Sequence, residues 1–161
     1  MQNYKKHMKY SAGIIPFREN EDGKLEFFVG HPGGIGWRNR EYWAYLKGQV
    51  EDGEDWATAA VREFKEESGL DMEDCPSDLL IPLGTSLQNP KKTVIAYGLH
   101  YPNIDPSKCQ SNMADNGLCR EIDAYRWMTY ERLRPVTHEA HLTFYETLIE
   151  MHDTQQLIEE Q

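Results

Sequence analysis

Basic residues are scarce in this chain. Lys and Arg number 17 against 27 Asp and Glu, for a formal net charge of −10. That balance excludes broad electrostatic binding to duplex DNA, duplex RNA or an anionic membrane. A short phosphorylated ligand held through metal ions stays compatible, because the ions reverse the local charge. Cysteine is rare too: Cys75, Cys109 and Cys119 show no CxxC spacing. The odd count fits reduced thiols in a cytoplasmic protein, although a Cys109–Cys119 pair stays open. No apolar run follows Lys5, Lys6 and Lys9, so neither a signal peptide nor a transmembrane span is expected. Repeats, low-complexity segments and linkers are also lacking. At 161 residues the expectation is one domain over 11–152, with an extension at 1–10 and a frayed tail at 153–161.

What the chain does have is a concentrated run of carboxylates. Glu63, Glu66 and Glu67 share one helical turn, within roughly a 100° arc at about 100° per residue. Like charges at this spacing repel and cost helix stability unless something neutralises them. Hard divalent cations take oxygen ligands, so the cluster points to Mg2+ or Mn2+. Ala57, Ala60, Val61 and Phe64 supply an apolar face beside it. Asp55 is the expected N-cap and Gly69 the expected stop.

Around this helix the pattern predicts strands at Ser11–Arg18 and Leu25–His31, joined by an Asn20–Gly23 turn. Pro16 suggests that the first strand is an edge or carries a bulge. A breaker-rich loop spans His31–Gly36, and Tyr42–Leu46 reads as extended. A loop is expected over Asp71–Asp78, then strands at Leu80–Leu87 and Lys92–Tyr101. A long polar loop, Asn103–Cys119, precedes a last strand at Ile122–Met128, and loops of that length are usually functional or mobile. A short helical turn at Thr129–Arg134 and a closing helix at His138–His152 follow, the latter with Leu142, Tyr145 and Ile149 inward. The order implies an α/β fold, a mixed sheet with a helix on each side.

Gly48, Glu54, Arg62, Glu63, Phe64, Glu66, Glu67, Gly69 and Leu70 together resemble the complete signature of the Nudix hydrolase superfamily, whose α/β/α sandwich agrees with this order. Pro90–Ile95 and Ala124-Tyr125-Arg126-Trp127 resemble segments of its diadenosine tetraphosphate hydrolase branch. His31-Pro32-Gly33-Gly34 resembles a neighbouring group of bacterial nucleotide pyrophosphohydrolases. Two departures border the expected pocket: Leu46-Lys47-Gly48 stands where that branch commonly has Pro-Lys-Gly, and the Asn103–Cys119 loop is longer than expected.

The resemblance implies a metal-dependent pyrophosphohydrolase acting on a nucleoside diphosphate linked to another moiety. Glu67 and then Glu63 are the implied metal ligands, and Glu66 a ligand or the catalytic base. The backbone carbonyl of Lys47 and the carboxylate of Glu121 are further implied ligands; a solvated Glu121 is the other reading. Glu54 and Arg62 fix the loop to the helix or form a structural ion pair. Lys47 and Lys92 are candidate phosphate contacts or surface lysines. Tyr42, Trp43 and Tyr97 are candidates to stack on a base; Tyr97 reads better as core, and Trp43 stays open. His31 reads as a loop histidine. The lead substrate is a dinucleoside polyphosphate such as diadenosine tetraphosphate. An RNA 5′ end, ADP-ribose or a nucleoside triphosphate are alternatives. A silent nucleotide-sensing domain is a different class, disfavoured by the intact carboxylates. Oligomeric state stays open.

Overall fold

A computed structural model describes residues 8–72 and 77–160. Six strands form one mixed sheet: β1 (Lys9–Glu19), β2 (Leu25–Pro32), β3 (Leu46–Gln49), β4 (Ile81–Asn89), β5 (Lys92–His100) and β6 (Ile122–Thr129). Their order is β4-β5-β1-β2-β6, with β3 also paired to β1. Only the β1–β5 pair is parallel. Helix α1 (Trp56–Ser68) covers one face and α3 (Leu142–Glu160) the other; α2 (Tyr130–Leu133) is a single turn after β6. This is the expected α/β/α sandwich.

The alternation of side chains across each strand builds both layers. Ala12, Ile14, Phe28, Leu46 and Ile95 turn toward Ala59, Ala60 and Phe64 of α1. Ile15, Phe27, Val29, Val94 and Ala96 turn toward Phe144, Tyr145 and Leu148 of α3. Strand β1 is central, not the edge that Pro16 suggested. One side of it pairs with β5; the other is shared, with β3 along Ser11–Ile14 and with β2 along Phe17–Glu19. The Phe17 carbonyl accepts from Tyr101 on the β5 side. Alternation therefore turns Pro16 the other way, into the gap between the β3 and β2 ladders, where its missing N–H costs no ladder bond.

Several boundaries differ from expectation. Lys9 and Tyr10, placed in the N-terminal extension, already belong to β1; residues 1–7 lie outside the described residues. The loop expected at Asp71–Asp78 includes a 3-10 turn at Ser77–Leu79, and residues 73–76, with Cys75, lie outside the description. His138 caps a 3-10 turn through Nδ1, and this delays the closing helix to Leu142. Its buried stripe is consequently Phe144, Tyr145 and Leu148, flanked by Leu142 and Ile149. The helix runs on to Glu160, through most of the segment assigned to the tail; Gln161 lies outside the description. Cys109 and Cys119 are free thiols, so the pairing left open between them is absent.

Candidate active site

Helix α1 begins and ends on the predicted signals. The Asp55 side chain accepts from the Thr58 N–H at 2.8 Å. Gly69 takes the left-handed conformation, φ 73, and its N–H returns to the Lys65 carbonyl. The remaining carbonyls at this end are met by the long loop before β6 and by β6 itself. Gln110 N–H donates to Ser68 and Asn112 N–H to Glu66, at 3.0 and 2.9 Å, and the Tyr125 hydroxyl donates to the Glu67 carbonyl. Those caps explain the size of the loop: it closes the end of the carboxylate helix and leads the chain back to Glu121, whose N–H bonds to the Asn112 carbonyl.

The predicted carboxylates separate by exposure. Glu63 and Glu67 are turned inward, 9% and 7% exposed, whereas the Glu66 side chain stays 43% exposed. Glu63 lies against β3 because Gly48 has no side chain there; a Cβ on Gly48 would stand 2.0 Å from the Glu63 carboxyl carbon. The Glu67 carboxylate accepts the Lys47 backbone N–H, yet burial and the charges of Glu63 and Glu121 outweigh Lys47 and push it up to about 8. Burial also raises Glu63, against the opposing pull of Arg62, with Glu66 and Glu121 adding to the rise. Glu121 is raised by burial, Asp115 and Glu66. Four carboxylates thus feel one another across α1 and the start of β6.

Arg62 holds this group to the loop before it. Its guanidinium grips Glu54 with Nε and Nη2 at 2.8 and 2.9 Å, and reaches the Gln49 carbonyl at 3.0 Å. Nη1 donates to Glu63 at 2.8 Å and lies 3.5 Å from Glu66. Such a fork suits the planar guanidinium and not an ammonium. Hydrogen bonds from Arg62 and the Glu51 N–H hold Glu54 down to about 2.

A cleft of ≈ 330 Å³ opens beside Glu67, with Lys47, Glu121, Tyr42, Trp37 and Tyr45 in its walls. The Lys47 ammonium lies 5.4 Å from the Tyr45 ring centroid. Burial and Lys92 lower it to about 8, with Glu67 opposing. A larger groove runs along the outer face of α1 by Arg62 and Glu66, but its walls hold neither Glu63 nor Glu67.

Not every sequence candidate reaches this cleft. Trp43 is 3% exposed and belongs to the α3-side core, with the Arg126 guanidinium 4.6 Å above its ring. This corrects its place among the stacking candidates: the chain entering β3 turns Tyr42 to the cleft and Trp43 inward. Lys92 and Tyr97 do not line the cleft either. Lys92 sits within electrostatic reach of Lys47, and Tyr97 packs partly buried on the α1-side core, as its core reading expects. Sequence reasoning missed Trp37 and the capping pair Asn112 and Tyr125. Trp37 follows the breaker-rich loop directly, the single hint available.

An all-oxygen set of Glu63, Glu66, Glu67 and Glu121 suits a hard divalent cation. Among the described residues, no three carboxylate, histidine or cysteine side chains close around one point as they stand. Arg62 occupies Glu63, so binding a cation asks these side chains to turn. The carboxylates pushed up by burial and mutual repulsion are the groups such a charge would relieve.

The NUDIX domain model matches residues 8–148. A search of curated protein sequences returns no match. Among solved structures, a mutT/nudix family protein from Listeria innocua superposes with a TM-score of 0.63 at 21% identity, covering 93% of this chain and 97% of that one. A C. elegans Ap4A hydrolase binary complex gives 0.61 at 22% identity over 88% and 95%. The NUDIX domain of Shewanella oneidensis NrtR, complexed with ADP ribose, gives 0.59 at 13% over 93% and 88%. Identities this low speak for the fold alone. With the family model spanning most of the chain, the chain belongs to the Nudix family, as a hydrolase of phosphorus-containing acid anhydrides.

Proposed function

We propose that this hydrolase is divalent-metal-dependent and cleaves a nucleoside diphosphate linked to another moiety, with a dinucleoside polyphosphate such as diadenosine tetraphosphate as its preferred substrate. The observation that carries the reading is the buried Glu63–Glu67 pair beside a cleft that also holds Lys47 and Glu121. Nudix hydrolases generally use divalent ions. Glu63, Glu67, Glu121 and the Lys47 carbonyl are the proposed ligands. When bound, Mg2+ or Mn2+ neutralises phosphate oxygens and lowers the pKa of coordinated water.

The reaction is the attack of water on phosphorus with departure of the bridging phosphate oxygen. Glu66, its side chain 43% exposed, is the proposed acceptor of the water's proton or a further member of the ligand set. Glu54 and Arg62 act by position: the fork fixes the loop that ends β3 and aims Glu63. Lys47, partly neutral near pH 8 and charged below it, is the proposed phosphate contact in the cleft. Lys92, outside the cleft lining, adds a second positive charge within electrostatic reach of Lys47. Tyr42 is the wall residue kept from the stacking candidates.

The substrate preference rests on the resemblance of Pro90–Ile95 and Ala124–Trp127 to the diadenosine tetraphosphate branch. A cytoplasmic site of action accompanies this reading, supported by the free thiols of Cys109 and Cys119. No helix among the described residues is long and apolar enough to cross a membrane. The test is a panel of nucleotides offered with Mg2+ or Mn2+, with products identified by mass. Diadenosine tetraphosphate should exceed ADP-ribose in kcat/KM, and EDTA should abolish turnover. A preference for ADP-ribose or for a 5′-triphosphorylated RNA retires the substrate and leaves the metal chemistry standing; turnover in EDTA retires both.

A further inference from the structure

The loop between β2 and β3 contributes Gly33, Trp37 and Tyr42 to the lining of the cleft, and three contacts fasten it there. Gly33 N–H donates to the Glu121 carbonyl at 2.8 Å, in an approach so close that a Cβ would stand 1.9 Å from the Arg120 carbonyl oxygen. His31 sits at the root of the loop, 8% exposed, and both of its ring nitrogens face acceptors. Nδ1 lies 2.8 Å from Asp123 Oδ1 and Nε2 lies 2.7 Å from the Arg40 carbonyl. A ring that donates from both nitrogens ties the far end of the loop to β6. Inside the loop, Trp37 N–H returns to Gly34 and Arg40 N–H to Trp37.

This tethering brings two tilted aromatic rings to the cleft. The Trp37 ring packs 5.1 Å from Tyr42 at 37°, and the Arg40 guanidinium lies 4.9 Å from its centroid. Trp37 and Tyr42 form one wall of the cleft, Ala114 and Ile122 belong to its lining as well, and Glu67 and Lys47 lie in the same cleft. A ring in the wall of a cleft that also holds Lys47, Glu67 and Glu121 is in reach of the planar, uncharged end of a nucleotide whose phosphates lie at the carboxylates. Such stacking tolerates any base, because each has a π face.

We infer that Trp37 is the base-stacking residue of this enzyme, with Tyr42 supporting its ring and His31 positioning the loop that carries it. The inference rests on the phosphoanhydride reading above and adds the element that separates a nucleotide from a bare polyphosphate. Phosphate capture at the carboxylates and base capture at Trp37 are then separable contributions to binding.

A matched pair of non-hydrolysable probes separates them: methylene-bridged ADP and methylenediphosphonate share the P–C–P unit and differ by the adenosine. Calorimetry with Mg2+ on the full chain should show the nucleotide probe bound roughly ten- to a hundred-fold more tightly by the wild type. Trp37→Ala should remove most of that difference and leave methylenediphosphonate unchanged. Trp37→Phe should keep most of it, and a circular dichroism melt of each variant checks the fold. Equal weakening of both probes by Trp37→Ala, or an unchanged ratio, would mean that Trp37 only packs the loop, and the inference falls. A wild type that binds neither probe with Mg2+ fails the phosphoanhydride reading itself, and the stacking role falls with it.

Discussion

Gly48 and Glu63 are in contact so close that a single methyl group cannot stand between them: the Cβ position on Gly48 lies 2.0 Å from the Glu63 carboxyl carbon and 2.0 Å from Oε2. Both residues are half of a bargain between β3 and α1. The strand yields its side chain, and the helix lays a charged one along the bare backbone. Gly48→Ala should therefore expel Glu63 from its place while leaving both hydrophobic layers intact. The expected result is a kcat reduced by about a hundredfold or more, which corresponds to roughly 2.7 kcal/mol of transition-state stabilisation, with a cooperative thermal unfolding transition retained. A variant with wild-type kcat would show that Glu63 works from another position.

Arg62 offers a test of geometry against charge. Its fork reaches Glu54, Glu63 and Gln49 at once. Arg62→Lys keeps the charge and loses the fork, so kcat should fall at least tenfold while KM changes little. Glu54→Gln should shift activity in the same direction by loosening the same loop. Steady-state kinetics on the best substrate of the nucleotide panel decides it; an Arg62→Lys enzyme with unaltered kcat contradicts the positioning role.

Trp43 should behave as core. Truncation to Ala removes a buried indole from the layer under α3 and should cost about 3–5 kcal/mol of stability. Trp43→Phe should leave KM within a few-fold of wild type. Denaturant unfolding and KM, measured on the same preparations, separate this from stacking: a large KM rise in a stable Trp43→Phe protein would return Trp43 to the cleft.

Much of this site was legible in the sequence. The caps at Asp55 and Gly69 and the carboxylate spacing all act within one helix, where local rules decide the outcome. Trp43 could not be placed in that way. It lies between a loop and a four-residue strand, too short for a period to show which of two adjacent aromatics turns inward. Trp37 was invisible for a different reason. Its position depends on His31, Gly33 and Asp123 holding a loop against β6, and those contacts join residues far apart in the chain. The role of the Asn103–Cys119 loop was likewise hidden until its amides were seen on the end of α1.

The metal-free protein should lose stability as pH rises through the neutral range. Glu67 is raised from its ordinary 4.5 to about 8 on folding, so the native state binds a proton that the unfolded chain has released. Its contribution is full below about 4.5 and is lost as pH climbs toward about 8. His141 has the opposite sign: buried and lowered to about 2, it adds stability that is complete above about 6.5 and lost on acidification. Between pH 6.5 and 8 the Glu67 slope is therefore separated from that of His141. Raised His31, Glu63 and Glu121 slope the same way as Glu67, so the informative quantity is the wild-type curve minus that of Glu67→Gln. Melting temperatures in EDTA should fall more steeply with pH for the wild type than for Glu67→Gln between 6.5 and 8. Identical slopes would contradict the buried, protonated Glu67.

The most direct test of the central claim needs no substrate. Mn2+ is titrated into metal-stripped wild type and Glu67→Gln at pH 8, and free ion is read from its electron paramagnetic resonance signal. The account predicts stoichiometric capture by the wild type and at least about tenfold weaker binding by Glu67→Gln, with the variant's melting temperature in EDTA no lower than that of the wild type. Equal Mn2+ affinity in the two proteins would contradict it, because the buried Glu63–Glu67 pair would then not be the metal site.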